Sequence, residues 1–182
     1  YIARIQKEWA RIKYQVPDKD TKLADIAKLE KYAEQVSASF PQNPEPKIWE
    51  GIVLSTDAGI TKSMSGLPKV KKAKALLESA LAINDRALDG SAYTSLGSLY
   101  YQVPGWPISF GDDEEAEKNL KKALAINPTG IDPNFFYGDF LLKDGRYEEA
   151  IPVLQRALQA APRPDRPLAD AGRRQEIQAA LV

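Results

Sequence analysis

The sequence predicts an all-α fold, a solenoid of antiparallel helix pairs with extra helices at the N-terminal end and a capping helix at the C-terminal end. Three observations predict it. Apolar residues recur at three-to-four spacing along most of the chain, the rhythm of one helical face. One pattern of glycine, alanine and leucine occurs three times. In each copy the second helix keeps the same length: Ala73 to Asp85, Ala116 to Pro128 and Ala150 to Pro162 all span 12 positions.

The elements follow in order, as one domain over 1–182. Residues 1–15 are amphipathic, with Ile2, Ile5, Trp9 and Ile12 on one face. Residues 22–39 repeat the pattern through Leu23, Ile26, Leu29, Ala33 and Val36, before Phe40-Pro41. Segment 1–41 is therefore a helix pair, and Leu29, Ala33, Val36 and Pro41 fit a degenerate repeat. A first full copy, 45–85, has Gly51 and Leu54, then Ala73, Leu77 and Ala80, with Asp85 in the place of a closing proline. A second, 90–128, has Leu96-Gly97 and Tyr100, then Ala116, Leu120, Ala123 and Pro128. The third, 131–162, has Tyr137-Gly138, Leu141, Gly145 and Tyr147, then Ala150, Leu154, Ala157 and Pro162. In each, glycine lets two helices approach, alanines sit where they cross, leucine fills the gap and proline stops the helix. After a stiff RPDRP connector, 168–182 reads as the cap, with Ile177 and Leu181 inward and Arg173 and Arg174 outward.

From about 45 to 162 these marks resemble the tetratricopeptide repeat (TPR) family. The shared strings AKALLESALAIND, AEKNLKKALAINP and AIPVLQRALQAAP carry the resemblance. It implies a binding scaffold whose groove is lined by the first helix of each pair.

Composition narrows the chemistry. Lys plus Arg is 25 and Asp plus Glu is 25, so the chain lacks the cationic surplus a nucleic-acid binder uses to displace counterions. With no Cys and no His, thiolate and imidazole catalysis and ordinary zinc sites are excluded. No apolar run approaches the roughly 18 residues of a membrane span. No catalytic residue, cofactor or metal is expected. The chain begins at Tyr1 rather than Met, which leaves open a cytoplasmic location or, with an export signal removed, a periplasmic or cell-envelope one.

Departures from the repeat point to the site. Gly138 to Ala150 spans 12 positions, whereas Gly97 to Ala116 spans 19 and Gly51 to Ala73 spans 22. The first two copies therefore carry about 7 and about 10 extra residues in the turn between their helices. Stacked repeats would set these turns, 59–69 and 102–113, side by side on one edge. The second turn, QVPGWPISFGDD, is stiffened by Pro104 and Pro107 and carries Trp106, Ile108 and Phe110. Two readings stand: Trp106 and Phe110 plug the helices beneath, or they line a pocket. The acidic run 111–115 reads as a helix cap, Asp112 or Asp113, rather than as a metal site.

The groove positions counted from the Leu-Gly marks are Ile52, Ser55 and Thr56; Ser91, Thr94, Ser98, Tyr101 and Gln102; and Asp132, Phe135, Asp139, Leu142 and Lys143. They lack the Lys, Arg and Asn clamp with which chaperone-binding TPR domains hold a carboxylate. Several could instead pack against the terminal helices. The candidate binding residues are Ser55, Thr94, Ser98, Tyr101, Gln102, Trp106, Phe110, Phe135 and Asp139. The aromatics Tyr93, Tyr100, Phe136, Tyr137, Phe140 and Tyr147 are expected in the core. The expected function is non-catalytic binding of a peptide or protein segment through groove and turns. Two alternatives are a small-molecule-binding protein, generally similar to the bacterial TPR-like lipoproteins that accompany TRAP-type transporters, and a self-assembling homo-oligomer or filament.

Overall fold

The computed structural model describes all 182 residues. The chain folds into nine α-helices: α1 (Ile2–Gln15), α2 (Lys19–Ser39), α3 (Pro44–Thr61), α4 (Leu67–Ile83), α5 (Ser91–Gln102), α6 (Asp113–Ile126), α7 (Ile131–Lys143), α8 (Tyr147–Leu158) and α9 (Pro167–Ala180). None is long and apolar enough to cross a membrane. Local chemistry sets the boundaries. Asp18 caps α2 by accepting from the Thr21 amide at 2.8 Å, and Asp112 caps α6 by accepting from Glu114 and Glu115 at 3.0 and 3.2 Å. Prolines open the first turns of α3, α4 and α9, where a missing N–H costs nothing. Gly145 turns the chain between α7 and α8 at φ 78°, a conformation that favours glycine.

The chain divides into two compact units, Tyr1–Leu88 and Asp89–Val182. In the first, α3 pairs with α4 and α2 lies against α3, while α1 packs on both α2 and α3. Its fully buried side chains include Ile5, Ile12, Ile26, Ile48, Val53 and Leu77. In the second, α5 pairs with α6 and α7 with α8, and α9 packs on both α7 and α8. Leu120, Leu141, Leu154 and Ile177 are fully buried there.

The repeated triads Ala73/Leu77/Ala80, Ala116/Leu120/Ala123 and Ala150/Leu154/Ala157 are all 0% exposed. Each leucine meets the glycine of its own pair. A Cβ built on Gly97 would stand 2.5 Å from Leu120 Cγ, one on Gly138 2.5 Å from Leu154 Cδ2, and one on Gly51 3.1 Å from Leu77 Cγ. The repeated marks are thus one packing solution used three times. Each buried leucine contributes about 2 kcal/mol of apolar transfer.

Three expectations are corrected. The first enlarged turn is not a long loop: α3 runs to Thr61 and α4 starts at Leu67, so most of the extra residues lengthen the two helices. Only 62–66 connects them, through a short 3-10 turn. Arg173 and Arg174 do not face outward. Arg173 is 4% exposed because Asp132 on α7 and the faces of Phe135 and Phe136 give its guanidinium a charge partner and a stacking surface. Arg174 donates to the carbonyls of Leu158 and Ala160 at 2.5 and 2.8 Å, satisfying groups at the C-terminal end of α8. Tyr147 is not core but 62% exposed. It lies in the first turn of α8, and the buried stripe of that helix begins one turn later, at Ala150.

Candidate interaction site

The second enlarged turn is a true loop, 103–112, and its backbone is pinned at several points. The Val103 amide donates to Leu99, closing α5 at 2.9 Å, and the Asp112 amide reaches back to the Tyr100 carbonyl at 2.8 Å. The Gly111 amide donates to Pro104 at 2.9 Å, and Ile108 and Ser109 both donate to Gly105 at 3.1 and 3.2 Å. Gly105 and Gly111 face each other as an isolated β-bridge. A Cβ on Gly111 would lie 2.0 Å from the Val103 carbonyl oxygen, so this crossing admits only glycine.

The two aromatic rings of the loop are placed differently. Phe110 is half-buried and sets its ring edge-on to Tyr100 at 5.6 Å, as a plug would. Trp106 does the opposite: it is 90% exposed, with Ile108 beside it in sequence at 52%. The backbone hydrogen bonds hold the loop that carries this exposed indole.

Beside the loop, α5 and α7 lie next to each other as first helices of successive pairs. Tyr101 bridges them, donating its hydroxyl to Asp139 Oδ2 at 2.6 Å. Lys143 Nζ binds the same oxygen at 2.6 Å and stands 5.4 Å over the Tyr101 ring. Burial first, and then the Asp139 charge, push the Tyr101 phenol well above its ordinary range, so it stays a neutral donor. Gln102, exposed at the end of α5, donates to Ser98 Oγ at 3.0 Å. Tyr101, Asp139 and Lys143 thus tie α5 to α7, and Ser98 and Gln102 pair along α5.

The sequence of the second unit has a match among known families. Residues 108–175 match the family model described as tetratricopeptide repeat. The match runs from the end of the 103–112 loop through α6, α7 and α8 into α9. Outside the matched residues, the same Gly–Leu contact recurs between α3 and α4. The chain is also 39% identical over 95 residues to the Vi polysaccharide export protein VexE of Salmonella typhi, covering 50% of this chain and 13% of that protein. The chain therefore corresponds to a small part of that relative's length.

Three other candidates lie elsewhere. Thr94 is 5% exposed and belongs to the interior of α5. Phe135 is 7% exposed and lies under α9, with the Arg173 guanidinium 4.7 Å from its ring centre. Ser55 sits in the other unit and donates to the Gly51 carbonyl of its own helix at 2.8 Å. Its neighbour Thr56 accepts the Trp9 indole N–H at 2.9 Å, so α1 covers that part of α3.

Two polar clusters escaped sequence reading. Asp132 is gripped by Arg173 at 3.0 Å and by Arg163 at 3.2 Å, and Asp170 holds Arg163 at 2.6 Å. Burial alone would raise the Asp132 carboxyl, but the charges of Arg173, Arg163 and Arg166 outweigh it and hold it at about 2. In the first unit, Lys69 on α4 reaches Asp57 on α3 at 2.5 Å and Glu30 on α2 at 3.2 Å. Partners 12 and 39 positions apart leave no local signature.

Proposed function

We propose that the chain is a non-catalytic interaction scaffold that seats a protein or peptide segment against the tip of the 103–112 loop and the polar side chains of α5 and α7. The observation that carries this reading is Trp106, a large indole left 90% exposed on a loop closed by its own backbone hydrogen bonds. Tryptophan on a pre-ordered loop binds with little ordering cost, and it is among the residues that dominate protein interfaces. Ser98, Gln102 and the Tyr101–Asp139 pair supply hydrogen-bonding groups on α5, which leads into the loop, and on its neighbour α7. The TPR match supports a scaffold role, although a fold alone does not assign a partner.

The test compares the wild-type chain with Trp106→Ala, each immobilised in an extract of the source organism. Trp106 buries almost nothing, so the variant should unfold within about 0.5 kcal/mol of wild type. It should also lose a protein that the wild type retains. Retention of the same proteins by both chains would remove Trp106 from the site. Capture of the chain itself would point to the self-assembling reading instead.

The similarity to VexE favours a setting as well. We propose that the partner belongs to an assembly for polysaccharide export. In the source organism, Trp106→Ala should then lower the amount of polysaccharide at the cell surface. An unchanged surface polysaccharide would remove this setting while leaving the scaffold reading to the capture experiment.

A further inference from the structure

A cluster of two carboxyls and one lysine joins three helices of the first unit. Asp57, on α3, is 4% exposed, yet it shares the ammonium of Lys69 on α4 with the carboxyl of Glu30 on α2. Lys69 Nζ lies 2.5 Å from Asp57 Oδ2 and 3.2 Å from both oxygens of Glu30, and Thr61 donates to Asp57 Oδ1 at 3.1 Å. One lysine thus serves two acids. Several other charges of these helices form pairs of their own. On α2, Glu34 is taken by Lys72 of α4, which also holds Glu50 of α3. Asp25 of α2 is taken by Arg11 of α1.

We propose that Glu30, Asp57 and Lys69 form a proton-operated latch: sharing one proton, the two carboxyls fasten α2 to α3 and α4, and losing it loosens α1 and α2 from the α3 face that bears Thr56. With the proton on Glu30, its hydroxyl donates to Asp57 and the cluster is neutral. Without it, two carboxylates face one ammonium, and Asp57 among them is buried. Burial first, then the hydrogen bond and charge of Asp57, push the Glu30 carboxyl up to about 7 against the pull of Lys69. Asp57 goes the other way: burial would raise it, but hydrogen bonds from Glu30, Lys69 and Thr61 and the Lys69 charge hold it below its ordinary value. A carboxyl raised in the folded state stabilises fully below its unfolded value of 4.5, and that stabilisation is lost as pH rises through about 7. The latch is therefore shut in mild acid and slack above neutrality. Trp9 is its natural reporter, because the indole N–H hydrogen bond to Thr56 holds α1 on the face the latch guards.

The experiment uses the full chain carrying Trp106→Phe, so that emission comes only from Trp9 and Trp49 of the first unit. From pH 5.5 to 8, the urea unfolding constant read by these tryptophans should rise about tenfold or more. Glu30→Gln mimics the protonated acid without titrating. In the same background it should flatten this profile and be the more stable chain at pH 8. A wild-type profile as flat as that of Glu30→Gln, or a variant weaker at pH 8, overturns the latch. Should Glu30→Gln fail to fold, carboxyl carbon-13 NMR of the wild-type chain decides. One glutamate titrating near neutrality supports the latch, and complete titration of every carboxyl below pH 5.5 overturns it.

Discussion

At the scale of single residues, the three helix-pair glycines do one job under different strain. Gly97 and Gly138 leave 2.5 Å between a built Cβ and a leucine of the partner helix, and Gly51 leaves 3.1 Å. Alanine at either of the first two must push Leu120 or Leu154 out of a fully buried place. Gly97→Ala and Gly138→Ala should each cost about 2 kcal/mol in urea unfolding, and Gly51→Ala clearly less. Equal losses at all three would show that the helix spacing is not set by this contact. These glycines were legible because their role is local to a repeated string. Gly111 was not, because its requirement comes from a backbone crossing with Val103 that no periodicity announces.

At the scale of elements, the sequence pattern located helices well and loop behaviour poorly. Extra residues between Gly51 and Ala73 could lengthen a turn or lengthen helices, and spacing alone does not distinguish them. The helix-favouring run from Val70 to Ile83, opened by Pro68, took the second course. In the 103–112 loop the prolines marked a stiffened turn, yet which aromatic turned inward depended on Tyr100 being available to Phe110. Helix α9 shows a second limit. Arg173 read as a solvated residue because its partner Asp132 is 41 positions away. Arg173→Ala would strip a buried cation from Asp132 and from two aromatic rings, and should destabilise the second unit by about 3 kcal/mol. Arg174→Ala, which loses only two bonds to backbone carbonyls, should cost less. A reversed order in denaturant melts would mean that α9 is held chiefly by its cap to α8.

At the scale of the whole molecule, the two units carry opposite electrostatic designs under a formal net charge of zero. Asp132 in the second unit is held at about 2, below its ordinary 3.8. Its contribution is present above 3.8 and is lost as pH falls through about 2, so acid weakens that unit. Glu30 in the first unit does the reverse and weakens it as pH rises through about 7. Helices α1 and α2 belong to the first unit and α7 and α9 to the second, so their hydrogen exchange followed against pH should separate the two. Protection in α1 and α2 should fall between pH 6 and 8 while protection in α7 and α9 holds, and the order should invert below pH 3. Parallel changes in both would show that the chain responds as one electrostatic body.

The central claim, that the exposed loop tip seats a protein segment, is tested most directly by placing a photo-crosslinking amino acid at position 106 and irradiating living cells of the source organism. A matched chain carries the same amino acid at Lys71, an exposed position on α4. The account predicts a discrete cross-linked protein from position 106 that is absent from position 71. Identical products from both positions, or none from position 106, would contradict it.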